Sequence, residues 1–555
     1  MLQRMDNEAK AAYAEAQAMR EVRAREMLAE LAEIQAAESK AKAEAAQENE
    51  QETQEELEQE DPVDSDDDED VDDDETAEAE QQGLEEQALT ENESSASAIE
   101  EQAQLQTMLE TLPPIETPLP SLEVLADIEV LLADAYIHLA RHRASGVVDP
   151  QALNIGWHIT RRNVLNEQAL YRAVVENKAR AYLQSLKPAA PEYLALEMAL
   201  QRYLALHERG GWRPIPTGGL LKPGEDDDRV PALRIRLQLS GDLATLDGID
   251  GDEDEYEGSI VQAVKRFQQR HGLKVDGIVG PNTIAHLNMT AIQKLDAIRA
   301  SMERWRWLPA DLGQRHIRVN VAGYSMQVIE SGKPVLEMPT IVGMPTRRTP
   351  NFSETLKYLV ANPTWEVPPS IAKKDKLPIL KQNLAYLDEH KFDVLSGWGE
   401  DEVRVDAATL DWSQFNEEYF PYHLRQQPGP TNALGRIKFM LPNRFNIYLH
   451  DTPAKHLFDS DSRTFSSGCI RLKRPLELAD YILGNDPRWQ GKDIREILEG
   501  EPKQILRLKN HIPVHILYFT AWADQESGVV NFREDVYNRD INIIQALNEE
   551  TSASL

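Results

Sequence analysis

The chain has 555 residues, a formal net charge of −36 and a single cysteine, Cys469. This length exceeds what one hydrophobic core holds and predicts about three domains. One cysteine excludes an internal disulfide, so the composition allows either a reducing or an oxidising compartment.

Most of the negative charge lies in the first 120 residues, which hold 37 acidic and 7 basic side chains. Residues 1–45 are rich in Ala, Glu, Lys and Arg and contain no Gly or Pro, which predicts a solvated helix, with a partner-binding or coiled-coil arm as the alternative. Residues 46–120 include DPVDSDDDEDVDDDE and cannot bury enough apolar surface to offset the entropy of ordering. We therefore predict that 46–120 is a disordered tail.

A helical scaffold is predicted for 121–228, because segments such as SLEVLADIEVLLADAYIHLARH place apolar residues at helical spacing. Four histidines in this region lack the spacing of metal ligands, namely His138, His142, His158 and His207. The sequence predicts no metal site and no cofactor.

Residues 229–288 end in SIVQAVKRFQQRHGLKVDGIVGPNTIAHLN, in which Ile260, Val264 and Phe267 share a helix face and glycines mark tight turns. Periodicity alone indicates any small helical bundle. The pattern resembles the type-1 peptidoglycan-binding domain, which implies a three-helix module that binds glycan. The acidic insert at 247–258 does not fit an EF-hand loop and is predicted to be solvated.

After a linking helix at 289–312, the alternating pattern of IRVNVAG, YSMQVIESG and VLEMPTIVG predicts a β-meander. Further strands are predicted at 356–361, 445–450 and 514–522. The fold class expected is therefore multidomain α+β, with a mostly β catalytic domain at 313–545 and a C-terminal tail at 546–555.

Two of these strands carry reactive side chains opposite their apolar faces. In FNIYLH, alternation places Tyr448 and His450 on one face, and in CIRL it places Cys469 and Arg471 opposite the core. A structural cysteine would lie on the apolar side, so we interpret Cys469 as reactive.

The residues around Cys469 fit a nucleophile. Ser466, Ser467 and Gly468 are small, so a carbonyl could approach the thiol, and the N–H groups of Gly468 and Cys469 could form an oxyanion hole. Three following basic residues are expected to favour the thiolate: Arg471, Lys473 and Arg474.

The stretch HDTPAKHLFDSDSRTFSSGCIRL resembles the L,D-transpeptidase (YkuD) family, whose pattern is a His, a gap, and S-x-G-C followed by an apolar residue and Arg or Asn. Flanking stretches resemble its large, YcbB-like members, which combine a scaffold domain with a peptidoglycan-binding domain: VGMPTRRTPNF, NPTWEVPPSI and RQQPGPTNALGRIKF, the last including Asn432. Many members have His in place of Ser467, so one contact of the family is absent here.

The resemblance implies a cysteine acyltransferase that forms 3→3 peptidoglycan cross-links. Cys469 would be the nucleophile and His450 the general base, with Tyr448 and Gly468 polarising the acyl oxygen. Substrate-binding roles are expected for a further set: Arg471, Ser467, Ser466, Trp365 and Asn432. The segment 366–424 would be a lid over the donor stem peptide, where Trp398 and Trp412 either contact substrate or pack the lid, and His456 is expected at the surface.

Two other enzymatic functions would use the same residues: the acyl group could pass to water, making an L,D-carboxypeptidase, or to a protein lysine. A third alternative is a non-catalytic peptidoglycan-binding scaffold with a decayed site, and the intact Cys469 and His450 argue against it. A papain-like protease would place its nucleophile at a helix start, whereas Cys469 leads into a strand pattern.

The expected partners are peptidoglycan stem peptides and glycan, with contacts to cell-wall synthesis proteins through the N-terminal tail. We expect a monomer and no nucleic-acid partner. The sequence shows no secretory signal and taken alone predicts a soluble cytoplasmic protein. The substrate instead predicts a periplasmic or cell-envelope location, and so a start of the native gene that differs from Met1.

Overall fold

The computed structural model describes residues 121–244, 255–499, 503–524 and 527–553. The predicted helix at 1–45 and tail at 46–120 lie outside the described residues, as does most of the predicted loop at 247–258. Pro120–Leu555 forms one compact unit. The multidomain α+β class is confirmed, and none of the helices described could cross a membrane, given their length and polarity.

The described chain begins with four helices: α1 Leu122–Ser145, α2 Glu167–Val175, α3 Ala179–Ser185 and α4 Pro191–Glu208. Helix α1 starts at Ser121, whose hydroxyl accepts the N–H of Val124 at 3.3 Å and so satisfies one of the free donors of the first turn. Ala140 and Leu170 belong to a small core that α1 and α2 share.

A compact helical module follows: α5 Val230–Ser240, α6 Gly258–His271 and α7 Pro281–Leu287. Gly272 ends α6 with φ +71°, and a Cβ there would lie 2.3 Å from the Arg533 Nε, so only glycine allows this approach of the C-terminal region. Helix α8, Ala291–Trp307, then begins with a capping box between Thr290 and Gln293.

The remaining chain is mainly β structure. The strands are β1 Arg315–Asn320, β2 Ser325–Glu330, β3 Lys333–Ile341, β4 Phe352–Ala361, β5 Trp365–Glu366, β6 Phe392–Ser396, β7 Val403–Val405, β8 His423–Gln426, β9 Ile437–Met440, β10 Leu449–His450, β11 Ile470–Leu472, β12 Gln504–Leu517, β13 Ala521–Ala523 and β14 Val530–Phe532.

Eight strands close into a barrel in the order β1-β12-β4-β9-β10-β11-β3-β2. The short strands β10 and β11 run parallel, with Leu449 opposite Ile470 and His450 opposite Arg471. Leu449 and Ile470 are fully buried in the barrel core, so their neighbours face outward. The barrel thus presents His450 and Arg471 side by side.

The predicted lid segment, residues 366–424, folds as a small subdomain. Strands β5, β8, β6 and β7 pair in that order, and β5 and β8 begin and end the segment. Its helices are α9 Pro369–Ile371, a π-helix Ala372–Lys376, α10 Leu377–Gln382 and α11 Ala385–Glu389. Leu380, Phe392 and Trp412 lie in its own apolar core.

The structure corrects two elements. The predicted strand at 445–450 is regular only over Leu449–His450, because Asn446 adopts φ +55° and the Asn443 carboxamide oxygen accepts the N–H groups of Phe445 and Ile447. A side-chain acceptor there replaces a neighbouring strand.

The second correction concerns the predicted C-terminal tail at 546–555. Helix α12 Pro475–Gly484 and helix α13 Ile494–Glu499 precede the last strands, and α14 spans Asp540–Ala553. Helix α14 therefore continues through most of the predicted tail, and Leu547 packs in the core that α14 shares with α4 and α8. This burial makes 546–553 part of the folded unit.

Candidate active site

Ser466 shapes the turn that carries Cys469. It pairs through its backbone with Gly343, its hydroxyl donates to the Cys469 carbonyl, and it accepts the Gly468 N–H at 3.1 Å. The Ser466 side chain is buried and bonded on both sides. Its predicted role in substrate binding is therefore corrected to a role in holding the turn.

Gly468 occupies a backbone conformation that favours glycine. Its φ is +115°, and a Cβ there would lie 3.1 Å from Ile447 Cδ1. Its carbonyl accepts a hydrogen bond from Thr349 Oγ1 at 2.8 Å. Because the Gly468 N–H is bonded to Ser466, the predicted oxyanion donor that remains is the Cys469 N–H, which makes no hydrogen bond within the described chain.

His450 is buried and held in one orientation. Its Nδ1–H donates to the Asp451 carbonyl, which leaves Nε2 as the basic nitrogen. The Asp451 carboxylate is itself fixed by Lys455 Nζ at 2.6 Å and by the Arg436 N–H at 2.9 Å. Orientation of the imidazole thus depends on the main chain and not on a carboxylate partner.

Burial, together with the smaller effect of the positive charges of Arg471, Lys438 and Lys455, lowers the pKa of His450 to about 3, although the bond to Asp451 opposes the shift. The imidazole is therefore unprotonated at neutral pH and can accept a proton.

Cys469 lies beside Tyr448, although the regular strands β10 and β11 are short. The Ile470 N–H donates to the Tyr448 carbonyl at 3.1 Å, so the two segments run side by side there. The rings of Tyr448 and His450 are 5.6 Å apart, and the Cys469 thiol donates weakly to the Asn446 carbonyl at 3.7 Å. Tyr448 therefore has the imidazole of His450 near its ring and the segment of Cys469 beside its main chain.

Burial raises the pKa of the Cys469 thiol, while the backbone N–H and hydroxyl of Tyr448 and the charges of Lys438 and Arg471 oppose the rise. The thiol is therefore protonated at rest. This corrects the expectation of a resting thiolate.

The basic residues also differ from the prediction. Lys473 lies 3.7 Å from Asp459 and Arg474 lies 2.8 Å from Glu477, so both side chains have acidic partners of their own. The cation that sequence reasoning missed is Lys438, which pairs with His450 across β9 and β10 and lies 3.7 Å above the Tyr448 ring. Burial lowers the Lys438 pKa to about 8. In the sequence, only the alternation of polar and apolar residues in GRIKF could have indicated that Lys438 faces the same side as the site.

Arg471 is mostly buried, and its Nε has no hydrogen-bond partner in the described chain. It faces outward between Ile341 of β3 and His450 of β10. Burial lowers its pKa, whereas the nearby Cys469 raises it. A desolvated guanidinium with a free donor is suited to bind a carboxylate.

Arg347 is a second residue that the sequence did not single out. Its guanidinium makes two bonds to the Asp375 carboxylate, of 2.5 and 2.6 Å, and its Nη1 donates to Ser467 Oγ at 2.9 Å. Arg347 thus joins the turn of Cys469 to the π-helix of the lid segment. It lies in the stretch VGMPTRRTPNF, in which no pattern distinguishes it from Arg348.

The remaining predicted residues have different surroundings. Trp365 is buried in the lid core. A hydrogen bond from its indole to the Tyr448 hydroxyl opposes the rise that burial causes in the pKa of Tyr448. Trp412 packs the lid, whereas Trp398 is 66% exposed and stacks on His423 at 4.0 Å. His456 is exposed, as expected.

Asn432 is fully buried, and its carboxamide bonds to the main chain of Pro363, Gln427 and Leu434. Both ends of the carboxamide are therefore used to hold the loop between β8 and β9. This geometry corrects the prediction that Asn432 binds substrate.

Three domain families match parts of the chain. Residues 314–502 match the YkuD L,D-transpeptidase catalytic domain, 226–287 a putative peptidoglycan-binding domain, and 73–200 a scaffold domain. The chain contains an L,D-transpeptidase catalytic domain. The family resemblance is thereby confirmed, and the scaffold match begins inside the segment predicted as an acidic tail.

The chain is 34% identical over 230 residues to a putative L,D-transpeptidase of Haemophilus influenzae, and this match covers 41% of this chain and 46% of that protein. It is 45% identical over 67 residues to the N-acetylmuramoyl-L-alanine amidase CwlL of Bacillus licheniformis, 12% of this chain and 18% of that protein. The chain thus matches less than half the length of either curated relative.

Among solved structures, an L,D-transpeptidase (Yku) of Stackebrandtia nassauensis aligns over 54% of this chain and 96% of its own. The identity is 14% and the TM-score 0.21, a value that carries no argument about fold. The family assignment therefore rests on the sequence matches.

Proposed function

We propose that the protein is a cell-wall L,D-transpeptidase that forms 3→3 peptidoglycan cross-links through a thioester on Cys469. The observation that carries this proposal is that the paired strands β10 and β11 bring the segment of the neutral Cys469 thiol next to that of His450, whose imidazole is unprotonated and whose Nε2 makes no hydrogen bond within the described residues. A protonated nucleophile with an adjacent base is the arrangement that acyl transfer requires.

In the first half-reaction, His450 Nε2 takes the thiol proton as the Cys469 sulfur attacks the carbonyl between the third residue and the terminal D-Ala of a tetrapeptide stem. The Cys469 N–H and the Tyr448 hydroxyl donate to the developing oxyanion. The C–N bond then breaks, D-Ala leaves with the proton that His450 held, and the acyl group remains as a thioester.

In the second half-reaction, the side-chain amine of the third residue of another stem attacks the thioester carbonyl. His450, again unprotonated, takes the amine proton, and the thiolate that leaves recovers it. Arg471 is suited to bind a carboxylate of a stem peptide, because its buried Nε lacks a partner in the described chain. The reaction needs no cofactor.

The substrate implies a location in the cell envelope, and peptidoglycan as the partner of the helical module. The matches to a catalytic domain and a peptidoglycan-binding domain support both inferences. Fractionation of cells that express the native gene should recover the protein with the envelope.

The test of the proposal is muropeptide analysis. The full chain incubated with purified tetrapeptide-rich cell wall should produce 3→3 linked dimers, and Cys469→Ala should produce none while keeping the wild-type melting temperature. A carbapenem should add one adduct to the peptide that contains FSSGCIR. Release of D-Ala without dimers would instead indicate a carboxypeptidase, and dimers formed by Cys469→Ala would contradict the thioester.

A further inference from the structure

The loop that joins β3 to β4 packs against the turn that carries Cys469. Near the start of this loop, the Met344 N–H donates to the Ser466 carbonyl at 2.9 Å. Near its end, Thr349 Oγ1 donates to the Gly468 carbonyl at 2.8 Å. The loop therefore holds the turn on both sides, and the position of the thiol depends on the conformation of the loop.

Arg347 lies in a tight bend of the same loop. Its N–H donates to the Met344 carbonyl at 2.8 Å. Its carbonyl comes so close to Gly343 that a Cβ there would lie only 2.2 Å away, so only glycine lets the chain bend in this way. The main chain of Arg347 is thus fixed, and its side chain, which is 25% exposed, is placed by the bonds that the guanidinium makes.

These bonds lead in two directions. The Arg347 Nη1 donates to Ser467 Oγ at 2.9 Å, within the turn of Cys469. Both terminal nitrogens of Arg347 also bond to the Asp375 carboxylate, one to each oxygen. A bidentate pair fixes the plane of a guanidinium as well as its position. Asp375 therefore determines where Arg347 presents its donor to Ser467.

Asp375 belongs to the π-helix of the lid segment, a type of turn that is rare and frequent at functional sites. Its neighbours in that helix contact other residues of the lid segment. Lys376 Nζ donates to the Tyr386 hydroxyl at 2.7 Å, and Lys374 Nζ lies 3.9 Å from the Glu417 carboxylate. Asp375 instead bonds to a loop of the barrel, and so it connects the lid segment to the turn of the nucleophile.

The lid segment meets the site at a second place, where Tyr448 packs against the apolar core that contains Leu380 and Phe392. Apolar contact is non-directional, so it allows the segment to shift over Tyr448. The bidentate pair of Arg347 and Asp375 has one geometry. The ion pair therefore sets the position of the lid segment relative to the turn.

We propose that Arg347 is a positioning residue for acyl transfer. While it is bonded to Asp375, it holds Ser467, and through this turn it keeps the thiol and the N–H of Cys469 in register with the acyl carbonyl. When the lid segment moves away, the pair breaks, Arg347 is released and the turn loosens. The nucleophile is thus aligned only while the lid segment is in place. The inference rests on the proposed function, because it concerns the same acyl transfer.

The test is the acylation of the full chain by a carbapenem at increasing concentrations, which separates the rate constant at saturation from the concentration that gives half of it. Arg347→Gln and Asp375→Asn should each lower the rate constant by about tenfold or more, since a misplacement of about 1 Å can cost 10²-fold. The half-saturating concentration should change much less. Both variants should keep the wild-type melting temperature, because a partly exposed ion pair contributes little to stability.

The double variant, Arg347→Gln with Asp375→Asn, tests whether the two residues act as one link. It should be no slower than the slower single variant, because either change alone already breaks the link. Arg348→Gln is the matched control. Arg348 is the next residue of the loop and its Nε donates to the Pro345 carbonyl at 3.0 Å, so this variant should keep the wild-type rate constant.

Hydrogen exchange measures the same link without any reaction. Asp375→Asn should speed exchange in the peptide that contains FSSGCIR, although Arg347 stands between Asp375 and that peptide. Arg348→Gln should leave this exchange unchanged.

Four results overturn the inference: a wild-type rate constant in either single variant, additive slowing in the double variant, a loss confined to the half-saturating concentration, or wild-type exchange of this peptide in Asp375→Asn. Failure of the proposed function is recognised separately, because the wild type would then form no adduct. Failure of this inference alone leaves the wild-type adduct and removes only the effects of the variants.

Discussion

Two buried histidines have the same contact on one ring nitrogen and differ on the other. In the helical module, His271 Nδ1 donates to the Phe267 carbonyl at 2.8 Å, and its Nε2 lies 2.7 Å from Lys294 Nζ. In the barrel, His450 Nδ1 donates to the Asp451 carbonyl, whereas its Nε2 makes no hydrogen bond within the described chain. Burial lowers both pKa values. The unfilled nitrogen, and not the desolvation, therefore distinguishes the proposed general base from a histidine that only packs in a core.

Their lysine neighbours show the same contrast. Lys294 is fully buried, bonds to His271 and lies 4.2 Å from the Phe532 ring. Lys438 lies over Tyr448, and the negative charge that Cys469 carries as a thiolate, together with that of Glu366, opposes the fall in the pKa of Lys438. Lys294 completes a core contact, whereas Lys438 is coupled to the thiol that we propose changes charge during acyl transfer.

The largest difference in acylation rate should appear when variants of the two histidines are compared. His450→Ala should slow acylation by a carbapenem by about 10²–10⁴-fold, the usual contribution of a general base. The matched variant His271→Gln should acylate at the wild-type rate and melt at a lower temperature, because it disturbs only a core contact. Stopped-flow fluorescence gives the rates and calorimetry the melting temperatures. Equal slowing by both variants would contradict the comparison.

The pH dependence sharpens the same contrast. With a pKa of about 3, His450 stays unprotonated as the pH falls from 7 to 5, a range in which Lys438 stays charged, so the acylation rate constant should stay level there. An ordinary imidazole, of pKa about 6.5, would lose about tenfold by pH 5.5. The measurement is the rate of adduct formation by mass spectrometry across the range, in buffers of constant ionic strength. A midpoint between pH 6 and 7 would show that His450 is solvated.

The lysines should give a smaller difference. Lys438→Met removes a positive charge near the sulfur, so the pKa of Cys469 should rise and alkylation by iodoacetamide at pH 8 should slow, by about tenfold for each unit of pKa. Lys294→Met should leave alkylation unchanged and alter only the free energy of unfolding. The alkylation rates of both variants are compared by mass spectrometry. A faster reaction in Lys438→Met would contradict the coupling.

The smallest effect is expected for Tyr448→Phe. The variant loses one oxyanion donor while the Cys469 N–H remains, and its effect on acylation should be smaller than that of His450→Ala. The rate constant at saturating carbapenem measures this loss. A loss as large as that of His450→Ala would mean that the phenol itself transfers the proton.

The sequence alone determined the reactive residues and the order of the domains. The motif from His450 to Arg471, the alternation of apolar and polar residues around Tyr448 and Cys469, and the helical period of the module are all patterns of neighbouring residues, which the sequence displays directly. They predicted Cys469 as a nucleophile and His450 as a base, both of which stay predictions, and they did so although the strand at 445–450 is regular only at its end.

Only the tertiary structure decided the protonation states and the distant contacts. Lys438 and Arg347 reach the site from other strands and loops. The carboxamide of Asn432 is engaged by the main chain around it. The neutral thiol and imidazole follow from burial, which overrides the basic residues next to Cys469 in the chain. Desolvation depends on every group packed around an atom, and no run of neighbouring residues specifies those groups.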